Sequence, residues 1–131
     1  MRCLMISTEK LPVPPVRGGA IQTYIHAVAP RLAQHHKVGV VGVTDPELPE
    51  RETRDGVIYW RVPGGPFPLY LKRVLTLLEP LRDRVDVVHV FNRPRLVLPV
   101  RKVLPGSRII LSLHNEMFRP EKIGEDEARA A

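Results

Sequence analysis

Cys3-Leu4-Met5-Ile6, the loop Glu9-Lys10-Leu11-Pro12-Val13-Pro14-Pro15-Val16-Arg17-Gly18-Gly19-Ala20, the run Ile21-Gln22-Thr23-Tyr24-Ile25 and then Val38-Gly39-Val40-Val41-Gly42-Val43 decide the fold. The two outer runs are short, apolar and rich in β-branched residues, as expected of strands buried on both faces. Between them Ala20, Ile21, Tyr24, Ile25, Val28, Leu32 and Ala33 recur at helical spacing and line one face of a helix. Pro30 lies inside that helix, removes a backbone donor and is expected to kink it or shorten its last turn. Strand, helix and strand in this order make a crossover unit of a parallel sheet.

The pattern repeats downstream. Val57 to Val62 reads as a strand that follows the turn signal Asp55-Gly56 and ends at Pro63-Gly64-Gly65-Pro66. Val87 to Phe91 and Ile109 to Leu113 complete an expected set of five strands. Leu71, Val74, Leu75, Leu78 and Leu81 predict a second helix, with Lys72, Arg73 and Glu79 facing away. Leu96 to Leu104, opened by Pro94 and interrupted by Pro99, predicts a third and shorter one. The order specifies an α/β layer sandwich with a mostly parallel sheet, and 131 residues without an internal repeat or linker fit one domain. Glu125-Asp126-Glu127 reads as the start of a further helix, where carboxylates complement the helix dipole and need no metal.

Composition bounds the function. A net charge of +6 and a pI near 10.0 favour phosphate-bearing partners: nucleotides, nucleic acids or anionic lipid head groups. Aromatic residues are only 5%, too few for a base-stacking platform, so a nucleic-acid partner is not expected despite Arg82, Arg84, Arg93, Arg95, Arg101, Lys102 and Arg108. The same charges leave peripheral membrane contact open. The lone Cys3 reads as a small buried hydrophobe in a reducing compartment, and no run is long enough to cross a bilayer, so a cytoplasmic protein is expected. Cys/His clusters, nucleophile elbows and kinase signatures are missing, which disfavours zinc, triad and phosphoryl-transfer chemistry; His35-His36 without a third ligand makes a poor metal site. Neither metal nor cofactor is expected.

In open parallel sheets ligands bind beyond the carboxyl ends of the strands, so residues just after each apolar run are the candidates. Gly18-Gly19 directly precedes the first helix, where unpaired amides and the positive helix end favour anions, and Arg17 would add charge; equally, the glycines serve the turn alone. His114, after the last strand, has the near-neutral pKa suited to hydrogen-bonding a substrate hydroxyl, unless backbone groups satisfy it. Asn92 and Glu116 occupy comparable strand-end positions. His89, inside its strand, reads as a hydrogen-bonded core residue.

Met1 to Thr8 followed by Pro14-Pro15-Val16-Arg17-Gly18-Gly19-Ala20 resembles the opening strand and glycine loop of the family-four glycosyltransferases of the GT-B fold. Gln34 to Val40, Asp86 to Asn92 and Ser112-Leu113-His114-Asn115-Glu116 resemble the junctions and strands that follow. Within the family, Thr8 to Gln22 looks most like a subgroup associated with bacterial spore coats. The resemblance implies a Rossmann-like N-terminal domain that holds the acceptor, and retaining transfer from a nucleotide-diphosphate sugar without a metal. By position it implies that Gly18 and Gly19 lie near donor phosphates or acceptor and that His114 is the active-site histidine of the last strand. The family's donor-binding paired-glutamate motif belongs to a second domain that these residues do not contain. The chain alone is therefore expected to be inactive and, with an apolar face uncovered, to self-associate. A non-catalytic coat or assembly module on the same fold is the competing expectation.

Overall fold

A computed structural model of the protein describes residues 1–114. The strands are β1 (Arg2–Ile6), β2 (Lys37–Val43), β3 (Arg51–Arg54), β4 (Val57–Val62), β5 (Val87–Phe91) and β6 (Arg108–Ser112). The α-helices are α1 (Ala20–Leu32), α2 (Phe67–Leu78) and α3 (Val97–Val103), and 3₁₀ turns occupy Glu79–Leu81 and Pro94–Leu96. The sheet order is β3-β4-β2-β1-β5-β6, with every pairing parallel except β3 with β4. The result is an α/β, Rossmann-like three-layer sandwich.

Alternation along the central strands builds two cores. Leu4 and Ile6 of β1 face α2 and α3, where they pack with Tyr70, Val74 and Val100. Met5 faces the other way and packs under Ile21, Ile25 and Ala29 of α1. Gly39 is required between these layers, because a Cβ there would lie 2.5 Å from the Trp60 ring.

The sixth strand, β3, was not expected. Arg51-Glu52-Thr53-Arg54 has no apolar periodicity, and it forms because Asp55 (φ 52) and Gly56 (φ 79) make a tight hairpin turn with both central residues left-handed. Its charges suit an edge strand, where they discourage pairing with other chains.

Proline shapes each helix. α1 runs through Pro30 and ends two residues later at Leu32. α2 starts earlier than the leucine spacing indicates, at Phe67, with Pro68 in the first turn; it gives way to a 3₁₀ turn at Glu79-Pro80. The expected interruption at Pro99 is corrected: the 3₁₀ turn is opened by Pro94, and Pro99 falls in the first turn of α3, where its missing N–H has no helical acceptor to lose. Cys3 is only half-buried, and that burial raises its thiol pKa.

Candidate functional site at the carboxyl ends of the strands

The connection leaving β1 through α1 moves toward β2, whereas the connection from α2 enters β5 on the opposite side of β1. The chain therefore changes winding direction between β1 and β5, the position at which open parallel sheets place a ligand crevice at the carboxyl ends of the strands. The segments that follow these two strands are the loop 7–19 after β1 and the turn at Asn92-Arg93 after β5.

The loop 7–19 is anchored from three sides. Tyr70 donates its hydroxyl to the Ser7 carbonyl at 2.7 Å, and burial holds that phenol well above its usual pKa. Arg61, 1% exposed in its side chain, donates from Nε and Nη2 to the Val13 carbonyl at 3.2 and 2.9 Å and pairs with Glu52 of β3 at 2.7 Å. Gln22 of α1 is buried and donates to Ser7 Oγ, Thr8 Oγ1 and the Leu11 carbonyl at 3.3–3.4 Å.

Gly18 (φ 86) and Gly19 (φ 105) lead into α1, with Gly19 as the N-cap. No side chain caps this end, so the first-turn amides keep no helical acceptor and the helix end stays receptive to an anion. A Cβ on Gly19 would sit 2.1 Å from Gln22 Oε1, which would have to shift, and φ 105 is a conformation that favours glycine. Arg17 turns away from the helix end: its guanidinium meets Asp45 at 3.0 Å and Glu47 at 2.8 Å, beyond β2.

Across the crevice, Asn92 is buried and adopts φ 51, a left-handed conformation that asparagine tolerates better than most residues. Its amide N–H donates to the Ser112 carbonyl at 2.8 Å, and its side-chain Oδ1 accepts from the His114 amide at 2.5 Å. The His114 ring lies 5.7 Å from Phe91 and 5.8 Å from Tyr24 of α1, centre to centre. His114 is thus held through its backbone by Asn92, the residue after β5, and its ring stands beside Tyr24 of the helix that Gly19 caps.

His89 stacks on Phe91 at 4.1 Å and meets Ser112 Oγ at 2.5 Å, in keeping with its reading as a hydrogen-bonded interior residue, although it is only partly buried. Desolvation, and secondarily the nearby His114, lower its pKa. Glu116 lies outside the described residues, as do Glu125-Asp126-Glu127. Among the described residues no cluster of His, Cys, Asp and Glu could hold a metal, and no helix is long and apolar enough to cross a membrane.

Sequence reasoning missed Glu9 and Arg93. Their side chains, 9% and 16% exposed, pair at 2.6 Å between Arg93 Nε and Glu9 Oε1 and at 3.0 Å between Nη2 and Oε2, directly across the β1–β5 crevice. Burial alone would raise the Glu9 pKa, but the hydrogen bond and charge of Arg93 win and lower it. The available signal was that each residue closely follows the carboxyl end of one of two adjacent strands.

Comparison with known proteins bears on the family and the fold. The chain is 46% identical over 127 residues to spore coat protein SA of Bacillus subtilis, covering 97% of this chain and 32% of that protein. It is 43% identical over 123 residues to YtcC of the same organism, whose name describes a glycosyltransferase, covering 94% of this chain and 29% of YtcC. It therefore spans about a third of the length of these relatives. In fold it is similar to sucrose-phosphate synthase from Thermosynechococcus elongatus, with a TM-score of 0.66 at 12% identity over 99% of this chain and 39% of that one. The model of Glycosyltransferase Family 4 matches residues 18–129. The protein belongs to that family.

Proposed function

We propose that the chain is the acceptor-side half of a retaining, nucleotide-sugar-dependent glycosyltransferase, with the donor held mainly by a second Rossmann-like domain outside these 131 residues. The observation that supports this reading is that the α1 start capped by Gly19 and the Asn92-anchored His114 both follow carboxyl ends of strands, with Tyr24 of α1 beside the His114 ring. The helix end suits the donor phosphates or an anionic acceptor. His114 offers an imidazole that can hydrogen-bond an acceptor hydroxyl or exchange its proton. Asn92 orients it, and Glu116, which lies outside the described residues, is kept as a candidate for substrate contact. Arg17, already matched by two carboxylates, serves by fixing the loop that carries the glycines.

Transfer needs donor and acceptor aligned in a space closed to water, and one wall of a cleft cannot supply that. The isolated chain is therefore inactive in this reading. It acts in the cytoplasm or at the inner membrane surface, where its basic residues attract anionic lipid, and the uncovered domain face promotes self-association. The test has two arms. Purified chain with UDP-glucose, GDP-mannose and simple hexoside acceptors should give no transfer, and turnover would overturn the half-site reading. Its weak affinity for a nucleotide sugar should fall at least tenfold in His114→Ala and Gly19→Val while Arg2→Met binds normally; equal affinity in all forms would place binding elsewhere.

A second reading, a non-catalytic module in spore coat assembly, is favoured by the 46% identity to spore coat protein SA. It predicts incorporation into the coat that survives His114→Ala.

A further inference from the structure

The Glu9–Arg93 pair is an uneconomical way to hold two strands together. Charges shielded to this degree lose hydration that their mutual attraction only partly returns, and apolar side chains of similar volume fill such space at equal or better stability. An apolar pair could not do what Arg93 also does: its Nη1 donates to the Asn92 carbonyl at 2.7 Å. That carbonyl belongs to the residue held at φ 51, and the same residue's side chain holds the His114 amide. A continuous series of polar contacts therefore runs from the loop after β1 to the end of β6.

Each link constrains the next. Glu9 grips two guanidinium nitrogens and fixes the plane of Arg93. The third nitrogen then fixes the Asn92 carbonyl, which sets the turn, and the turn aims Oδ1 at His114. Asn92 N–H to the Ser112 carbonyl closes the turn against β6. We propose that Arg93, oriented by Glu9, is a positioning residue that sets the main chain, and hence the ring, of His114 at the crevice. Its value for function rests on the assignment of His114 to the site made above; the positioning itself does not.

The experiment uses the 131-residue chain in solution and follows the His114 amide by nuclear magnetic resonance, with no ligand needed. Arg93→Met should move that resonance in the direction seen for Asn92→Ala and speed its hydrogen exchange about fivefold to tenfold, the loss of roughly one hydrogen bond. Arg2→Met, which breaks a different pair at the other end of β1, should leave it unchanged. If Arg93→Met does not fold, Arg93→Lys takes its place: one ammonium cannot reproduce the fork, so a smaller displacement in the same direction is expected. A folded variant at position 93 with an unaltered His114 amide would overturn the positioning role. Addition of UDP-glucose separates the two claims. Displacement of His114 without loss of nucleotide-sugar affinity sustains the positioning and removes His114 from the site, whereas displacement with loss sustains both.

Discussion

Two arginine–carboxylate pairs clamp β1 to β5, one at each end, and in both the partners are 84 positions apart. At the amino ends Arg2 meets Asp86 at 3.3 Å with side chains 45% and 42% exposed. At the carboxyl ends Glu9 meets Arg93 at 2.6 Å, largely shielded from solvent. The chemistry is the same and the consequences differ. Water competes for the first pair and salt screens it, so it adds little to stability. The second is less open to water, and it is joined to the backbone of the turn that holds His114. A parallel sheet thus has one end free for solvated charge and another where buried charge is organised around a crevice.

The sharpest way to break this contrast is to remove one partner of each pair. Arg93→Met leaves the part-buried Glu9 carboxylate without its partner, at an expected cost of about 1–3 kcal/mol in urea unfolding. Arg2→Met should leave the urea midpoint near its starting value, and equal losses from both variants would erase the distinction. Gly19→Ala comes next, because it forces a side chain into φ 105 and against Gln22 Oε1; a loss of roughly 1–3 kcal/mol is expected.

Smaller effects appear in the pH dependence. The Glu9 pKa is lowered in the folded state, so its contribution is complete above the ordinary value of 4.5 and is lost as pH falls below it. Glu9→Gln should flatten that acid limb, while an unchanged limb would point to other carboxylates. The His89 pKa is also lowered, but this base folds best when neutral. Its unfolded form binds a proton first, so stability declines as pH falls below about 6.5 and levels off beneath the folded value. His89→Gln, which keeps an acceptor for Ser112, should remove this shallower slope.

The fold was legible wherever burial writes a pattern. β1, β2, β4, β5 and β6 are shielded enough to read as apolar runs, and Ile21, Ile25 and Ala29 lie on the face that α1 buries. β3 was illegible because an exposed edge strand carries no apolar signature; only Asp55-Gly56 announced its hairpin. Of the proposed site, Gly18-Gly19, Asn92 and His114 were nominated because strand ends can be counted along the chain. Arg17 was assigned to the ligand side because sequence does not show that Asp45 and Glu47 reach it first. Glu9 was quoted only as part of its loop and Arg93 only among the basic residues, since their pairing depends on β1 and β5 being neighbours, which the linear order of strands does not state.

The most direct test is to map, residue by residue, where UDP-glucose alters the amide resonances of the chain. The account predicts displacements at Gly18, Gly19, Asn92 and His114, at the carboxyl ends of the strands, with Arg2, Lys37 and Asp86 unmoved. Displacements centred on the amino ends, or none at saturating ligand, would contradict it.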